Sequence, residues 1–275
     1  MATLAELELP DLEHATFDTP ENSFEPGHLT PLGRSIKTPR ALIPSFERRQ
    51  PTALGRGAFG RVVLVKRYNG QSMAIKTIDI GHIAQREYGG VVQQGLIEYH
   101  AKKMRVEIKV LAQLSPHPHI PRFIGSSEKD NYLQIATTVA PGALLQDQIL
   151  NEADAQLAIR QLLSVLDYCH QQGIAHLDVK PTNIMWDSET RHLTLIDFGE
   201  ARFFTPGRPL IPSHLSSGTL AYRKLGSINA VEIDLYAAAL TCRAMLGANT
   251  SPKSERLIEL CLHGNSSIVQ ILENY

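Results

Sequence analysis

The chain has 275 residues, a formal net charge of −1 and a hydrophobic fraction of 43%. This length suits one two-lobed domain with a sizeable core. The near-neutral balance lacks the basic excess typical of nucleic-acid binding proteins, so we expect no nucleic-acid partner. The apolar run at residues 235–246 is too short to span a bilayer, and the N-terminus has no secretory pattern. We therefore expect no membrane association, and a monomer inside the cell, in the cytoplasm or the nucleus.

Residues 1–47 are rich in proline and acidic side chains and show no sustained apolar periodicity. Such a composition cannot bury enough apolar surface to offset the entropy that is lost on ordering. We predict a disordered, proline-rich arm at 1–47, followed by a folded domain at 48–275.

The folded part changes character near residue 143. Before it, three short β-prone runs predict strands, and helical spacing in 101–114 predicts one helix. The predicted strands are 61–66, 73–78 and 132–138. The stretch 153–170 repeats the helical spacing, and helices dominate after it. This order predicts an α+β fold, β-rich over about 48–138 and helical over about 141–275.

The first motif with chemical meaning is Gly55-x-Gly57-x-x-Gly60, next to a predicted strand. Glycines at this spacing let a hairpin backbone approach a triphosphate and present N–H donors to its oxygens. A tight turn is the ordinary alternative, and a dinucleotide site would need a helix directly after the glycines. Because a strand follows instead, the motif favours a phosphate-covering loop.

Lys76 ends an apolar strand one hairpin after these glycines. A lysine in this position is typical of the one that holds the α- and β-phosphates of ATP, and it needs a carboxylate to orient it. Glu107 begins the apolar stripe of the next predicted helix and is the favoured partner, with Glu98 as the alternative. The gap between Lys76 and Glu107 predicts an insertion near residues 82–98.

The strongest motif spans residues 176–183 (His-Leu-Asp-Val-Lys-Pro-Thr-Asn) and is followed by Asp-Phe-Gly at 197–199. Phosphoryl transfer needs positioning and charge neutralisation more than covalent chemistry. In this interpretation Asp178 orients the substrate hydroxyl and accepts its proton, and Lys180 neutralises the transferring phosphoryl group. Asn183 and Asp197 supply the oxygen ligands that Mg²⁺ prefers. The order and spacing of the motifs make two unrelated acidic loops a poor explanation.

On these motifs the chain resembles the eukaryotic-type protein kinases of the serine/threonine branch, over roughly residues 48–275. The resemblance implies a bilobal fold with a β-rich N-lobe and a helical C-lobe, ATP and Mg²⁺ as cofactors, and a protein substrate. Lys180, two positions after Asp178, and Thr219, which such kinases place near the catalytic aspartate, resemble serine/threonine rather than tyrosine kinases. The implied function is an ATP-dependent serine/threonine protein kinase in signalling or cell-cycle control.

The same resemblance assigns further roles. Thr137 would be a small gatekeeper, Thr138 and Val139 would lie in the adenine-contacting hinge, and Asp234 would anchor the catalytic loop from a central helix. The nucleotide-contacting residues that it implies are Gly55, Gly57, Phe59, Gly60, Val62, Ala74, Lys76, Thr137, Thr138 and Val139.

The first departure from the family pattern is Leu177, where most regulated kinases have an arginine that receives an activation-loop phosphate. A phosphate between residues 199 and 218 would lack its main charge partner. We therefore expect activity that survives replacement of the phosphorylatable residues there with alanine. Those residues are Thr205, Ser213, Ser216 and Ser217. The His-Leu-Asp variant is similar to that of Mos-like and Myt-like cell-cycle kinases and of some herpesvirus kinases.

The second departure follows Thr219. The Ala-Pro-Glu of the family is replaced by Lys224-Leu225-Gly226, and the arginine that pairs with that glutamate is also absent near the C-terminus. Few residues follow Asp234, so we expect a shortened C-lobe that lacks one helix often used for substrate docking.

Two other functions stay open at this point. A pseudokinase that binds nucleotide or partners without phosphoryl transfer is the alternative that the shortened C-lobe favours. The complete set Lys76, Glu107, Asp178, Asn183 and Asp197 favours an enzyme instead. A kinase for a small molecule is the third possibility, and the Lys180 and Thr219 signatures favour a protein substrate over it.

Overall fold

The computed structural model describes residues 52–57, 60–66, 70–87, 94–129, 131–210, 218–247, 250–263 and 267–273. The arm expected at 1–47 lies outside the described residues, as do Phe59, Ser213, Ser216 and Ser217. The chain divides into two compact units. One comprises the residues up to Ala101 together with Ile124–Val139, and the other comprises Lys102–Phe123 and the chain from Ala140 onward.

The first unit is built on a five-stranded sheet with the strand order β1-β2-β3-β5-β4. Its strands are β1 (Thr52–Gly57), β2 (Gly60–Lys66), β3 (Ser72–Asp79), β4 (Phe123–Lys129) and β5 (Tyr132–Thr138). Alternate residues of β2 and β3 are buried because successive side chains point to opposite faces of a strand. They pack with Ala136 into an apolar cluster. The three strands predicted from the sequence are β2, β3 and β5.

Two helices lie between β3 and β4. Helix α1 (Ile80–Glu87) begins directly after β3, and α2 (Gln94–Leu114) contains the predicted helix at 101–114. Thus α1 and the first turns of α2 occupy the region where the sequence predicts an insertion.

The second unit is mainly helical. Besides the part of α2 from Lys102 onward, its described helices are α3 (Glu152–Gln171), α4 (Ala230–Leu246), α5 (Pro252–His263) and α6 (Ile268–Glu273). Asparagine side chains cap α3 and α4: Asn151 accepts a hydrogen bond from the Asp154 N–H, and Asn229 from the Val231 and Glu232 N–H groups. With the sheet of the first unit, this confirms the predicted α+β fold, β-rich first and helical afterwards. Within the described residues, no helix is long and apolar enough to cross a membrane.

Short strands and turns support the loops of this unit. The strands are β6 (Ala143–Leu144), β7 (Ile174–Ala175), β8 (Ile184–Asp187), β9 (His192–Leu195) and β10 (Arg202–Phe203). Strand β7 pairs with β10, and β8 lies between β6 and β9. Single 3-10 turns cover Leu145–Asp147, Pro181–Asn183 and Leu220–Tyr222. The loop between β7 and β8 therefore holds residues 176–183.

One carboxylate joins the first turns of α3 and α5. Glu152 Oε1 accepts hydrogen bonds from Ser251 Oγ at 2.5 Å and Gln156 Nε2 at 2.9 Å, and a further one from Ser254 Oγ. The hydrogen bond from Ser251, followed by that from Ser254, holds the pKa of Glu152 below its ordinary value. This contact ties the C-terminal helices to the start of α3, over about 100 residues of sequence.

Candidate active site

Asp234 of α4 holds the loop at residues 176–183 through hydrogen bonds to its backbone. Its carboxylate accepts hydrogen bonds from the backbone N–H of His176 at 2.9 Å and of Leu177 at 2.8 Å. His170, at the end of α3, contacts the same carboxylate at 2.8 Å through Nε2. Leu177 has a φ of 62°, a conformation that side chains larger than glycine rarely adopt. The buried carboxylate stabilises this turn because it binds the N–H groups on both sides of it.

The charge of Asp234 is kept despite complete burial of the side chain. Burial alone would raise the pKa of this carboxyl, since it disfavours the charged form. The hydrogen bond from His170 and the charges of His170 and His176 outweigh burial and lower the pKa below its ordinary value. An ionised Asp234 is the stronger acceptor for the two loop N–H groups.

Asp178 lies at the centre of a dense set of donors. Its Oδ2 accepts from Lys180 Nζ at 2.6 Å and from Asn183 Nδ2 at 2.9 Å. Its Oδ1 accepts from the backbone N–H and the hydroxyl of Thr219, both at 2.8 Å. Lys180 Nζ also contacts Thr219 Oγ1 at 2.6 Å, so these three side chains form a closed triangle. The Asp178 carboxylate is 10% exposed, which leaves it within reach of a substrate hydroxyl.

Asn183 and Asp197 lie close together because the Ile196 N–H donates to the Asn183 carbonyl at 2.9 Å. The Asn183 amide donates to the Asp178 carbonyl at 2.8 Å as well as to the Asp178 carboxylate, so both of its N–H groups point toward Asp178. This orients the amide oxygen as the available ligand atom. Asp197 is exposed and has a φ of 61°. An amide oxygen and a carboxylate are hard oxygen donors, so this pair fits a magnesium ion.

The residue after Asp197 fixes that end of the site. Phe198 is 1% exposed, and its ring contacts the ring of His176 edge-on, with centroids 4.8 Å apart. His176 Nε2 in turn lies 3.2 Å from the Ile196 carbonyl oxygen. The Asp-Phe-Gly segment is therefore packed against the 176–183 loop on both sides of Asp197.

The glycines of the motif lie at the facing ends of β1 and β2. Gly57 pairs with Gly60 and Gly55 pairs with Val62, so the motif is an antiparallel hairpin as the sequence predicts. A Cβ on Gly60 would lie 2.3 Å from the Thr77 carbonyl oxygen, so this glycine is required by the close approach of β3. A Cβ on Gly55 would meet nothing within 4 Å, so packing among the described residues does not require a glycine there.

The other nucleotide-site candidates of the first unit lie on β3 and β5. Lys76 pairs with Val62 on one side and with Ile135 on the other. Ala74 pairs with Thr137, and Thr138 ends β5 directly before Val139. The central position of β3 thus brings Val62, Ala74 and Thr137 onto three neighbouring strands.

Burial separates the two glutamates that could orient Lys76. Glu107 is 3% exposed in the middle of α2, whereas Glu98 is exposed near its start. A carboxylate buried to this extent requires hydrogen-bonding or charged partners, because isolation would cost several kcal/mol. Glu107 therefore has partners in the fold, and its pairing with Lys76 stays a prediction.

One ion pair near Thr219 was not predicted from the sequence. Lys224 stands where the family has Ala-Pro-Glu, and its ammonium group pairs with Glu232 in the first turn of α4. The same Nζ donates to the Leu262 carbonyl of α5 at 3.3 Å, and Ser227 Oγ donates to Glu232 at 2.6 Å. The hydrogen bond from Lys224, followed by that from Ser227, lowers the pKa of Glu232. A lysine eight residues before an acidic first turn is the available sequence signal, and it is a weak one.

Comparison with known proteins agrees with this geometry. The family model described as protein kinase domain matches residues 49–267. A similar protein, CDPK-related kinase 5 of Arabidopsis thaliana, is 29% identical over 203 residues. The match covers 70% of this chain and 31% of the relative, so the chain spans about a third of that protein's length.

Proposed function

Because this chain belongs to the protein kinase family, we propose that it is an active serine/threonine protein kinase that uses ATP and Mg²⁺. The observation that carries this proposal is the environment of Asp178. Its carboxylate accepts hydrogen bonds from Lys180, Asn183 and Thr219, and it keeps a fraction of its surface exposed. A scaffold that only binds nucleotide has no need of an aspartate positioned in this way.

The residues of the second unit divide the work of phosphoryl transfer. Asp178 orients the substrate hydroxyl and accepts its proton at a carboxylate oxygen. Lys180, held by Asp178 and Thr219, places its positive charge where negative charge develops. Asn183 and Asp197 hold the magnesium ion. When Mg-ATP is bound, ATP supplies the phosphoryl group and the magnesium ion neutralises part of the phosphate charge.

The residues of the first unit bind the nucleotide. The backbone of Gly55, Gly57 and Gly60 covers the phosphates, and Lys76, oriented by Glu107, holds them. Thr138 and Val139 contact the adenine. The other nucleotide-contacting residues are Phe59, Val62, Ala74 and Thr137, and the strand registers support the last three.

The contact between Lys180 and Thr219 favours protein hydroxyls as the acceptor. It fixes the residue after Gly218 against the catalytic aspartate, and thereby fixes the start of the segment that a peptide would lie along. The serine/threonine specificity also rests on Lys180, in line with the kinase relative. We place the enzyme in intracellular signalling or cell-cycle control on the resemblance of its His-Leu-Asp motif, and we propose that it acts as a monomer.

The test is transfer of the γ-phosphate from Mg-ATP to a mixed protein substrate, with wild type beside Asp178→Asn. We expect the variant to lose roughly 10²- to 10⁴-fold in rate, the usual contribution of a positioned acid or base. Amino-acid analysis of the product should show phosphoserine or phosphothreonine. Asp147→Asn, an exposed aspartate in a 3-10 turn, is the matched control and should transfer normally.

Absence of transfer by the wild-type protein, with nucleotide binding retained, would replace this proposal with the pseudokinase alternative. Rapid phosphorylation of a metabolite with none of any peptide would favour the small-molecule kinase.

A further inference from the structure

The side chain of Leu177 is buried in an apolar cluster. The buried members of this cluster are Ala175, Leu177, Leu210, Ala230 and Ile233, and Phe204 packs against them. Leu177 is 7% exposed and Leu210 is 5% exposed. Leu210 and Phe204 belong to the segment between Gly199 and Gly218, whereas Ala230 and Ile233 belong to α4. Leu177 therefore contacts both this segment and the central helix through aliphatic surface.

The backbone of Leu177 contacts the far end of the same segment. A Cβ on Gly218 would lie 2.3 Å from the Leu177 carbonyl oxygen, so the chain at Gly218 passes directly against that carbonyl. The next residue, Thr219, donates its backbone N–H to Asp178 at 2.8 Å. The side chain of Leu177 thus shares an apolar cluster with Leu210, and its main chain lies against the residue before Thr219.

Backbone hydrogen bonds hold the segment on either side of the cluster. The Phe204 N–H donates to the Gly173 carbonyl at 2.8 Å, after the pairing of β10 with β7. The Leu210 N–H donates to the Ile228 carbonyl at 2.8 Å, just before α4. The side chain of Leu210 is therefore directed into the cluster by a backbone that is itself fixed.

Burial of aliphatic groups needs neither a phosphate nor a charged partner. Two leucines buried in one cluster can therefore supply the stabilisation that a charge-assisted pair between a phosphate and an arginine would supply. The cluster can therefore hold Phe204 and Leu210 in place without a phosphate.

We propose that Leu177 and Leu210 are positioning residues, which form an apolar clamp that holds Thr219 against Asp178 without a phosphate. This inference rests on the proposed kinase activity, since it concerns the geometry that the activity needs. It predicts that the clamp controls the rate of transfer to protein substrate while leaving nucleotide binding unchanged.

The experiment compares Leu177→Ala, Leu210→Ala and the double variant with wild type in the full chain. Hydrogen exchange is followed at the amides of Leu210 and Thr219, which donate to Ile228 and Asp178 respectively. We expect either single variant to speed exchange at both amides by roughly ten-fold, since local opening becomes easier. The kcat for peptide phosphorylation should fall roughly ten- to hundred-fold, because small misplacements of a positioned group are costly. Nucleotide affinity should stay unchanged, and the double variant should be little worse than either single one.

Leu257→Ala is the matched control, because Leu257 is 1% exposed in α5 and lies outside the cluster. It should lower the unfolding temperature as much as Leu210→Ala without changing kcat or exchange at Thr219. Leu210→Met, which keeps the side-chain volume, should show the wild-type kcat and the wild-type exchange at Thr219.

Equal exchange at Thr219 in Leu210→Ala and Leu257→Ala would overturn the proposal, as would unchanged kcat in Leu210→Ala. If wild type transfers no phosphate, exchange at the two amides alone decides whether the clamp exists, and the failure belongs to the proposed activity.

Discussion

At the scale of single residues, the site depends on backbone conformations that few side chains tolerate. Gly218 has a φ of 84° and faces the Leu177 carbonyl, and Leu177 itself has a φ of 62°. These two residues stack the 176–183 loop on the segment that carries Thr219. The sequence shows a glycine before Thr219, but the requirement for that glycine comes from a close approach between residues about 40 positions apart.

The first prediction concerns Gly218→Ala. The added Cβ would lie 2.3 Å from the Leu177 carbonyl oxygen, so one of the two chains must move and Thr219 moves with it. We expect kcat for peptide phosphorylation to fall roughly 10²-fold. Gly70→Ala is the control, because Gly70 has a φ of 79° but its Cβ would meet nothing within 4 Å. It should lose only about 1 kcal/mol of stability, from backbone strain. Equal kcat values in Gly218→Ala and Gly70→Ala would show that backbone strain, and not the close approach to the Leu177 carbonyl, causes the loss.

At the scale of elements, α4 carries most of the support for the site. Asp234 in its second turn holds the 176–183 loop, Ile233 packs against Leu177, and Glu232 pairs with Lys224. Three consecutive residues of one helix therefore fix two parts of the chain, the 176–183 loop and the segment at Lys224. Helix α5 adds the Leu262 carbonyl, which accepts from Lys224.

The second prediction concerns the pair between Lys224 and Glu232. Both side chains are less than one-third exposed, at 24% and 29%. Lys224→Met keeps the aliphatic stem but removes the charge, and we expect it to lower the free energy of unfolding by about 1 kcal/mol. The kcat should also fall, because this pair anchors the chain five residues after Thr219. A double-mutant cycle with Glu232→Gln, measured by urea unfolding, checks the coupling.

Lys102→Met, on the exposed side of α2, is the comparison for loss of a surface charge. Additive effects of Lys224→Met and Glu232→Gln would mean that the two side chains do not stabilise each other.

At the scale of the whole molecule, aromatic stacking links distant parts of the second unit. The rings of His117 and Tyr168 stack with centroids 4.4 Å apart, and those of His119 and His192 at 4.6 Å. His119 Nδ1 lies 2.8 Å from the Leu193 carbonyl oxygen. These contacts join the chain after α2 to α3 and β9.

The third prediction is a loss of stability in mild acid. Burial, followed by the charge of His119, lowers the pKa of His117. Burial also lowers the pKa of His119, and the charge of His192 adds to this, although the hydrogen bond to the Leu193 carbonyl raises it. The folded state then binds fewer protons than the unfolded state, so stability is complete above the ordinary value of about 6.5 and falls as the pH drops below it. Urea unfolding between about pH 5 and 8 should show this slope. His119→Asn should reduce it, and an identical slope in the variant would contradict the assignment.

Local patterns predicted much of this fold. Alternating burial in β2 and β3, and helical spacing in α2 and α3, depend on neighbours within a few residues. The candidate catalytic motif could be proposed from the sequence for the same reason, since Asp178, Lys180 and Asn183 lie within six positions. The predicted roles of the site residues follow from chemistry that these residue types share in any fold.

Long-range contacts could not be predicted in this way. The packing of Leu177 against Leu210, the pair between Lys224 and Glu232, and the junction of Glu152 with Ser251 leave no periodic trace in the chain. The sequence shows Leu177 and Lys224 only as departures from a family pattern. What Leu177 and Lys224 contact instead depends on how α4 and α5 pack in the fold. Leu177 shares a cluster with Ile233, and Lys224 pairs with Glu232.

The dependence of the loop on Asp234 also bears on the order in which the protein becomes competent during its synthesis. The ribosome makes residues 176–183 well before Asp234, which accepts from a backbone group 57 positions earlier. Until α4 emerges and docks, the N–H groups of His176 and Leu177 lack the carboxylate that holds their turn. A nascent chain therefore carries every proposed catalytic side chain before it can arrange them, and we expect it to stay inert until α4 has been made.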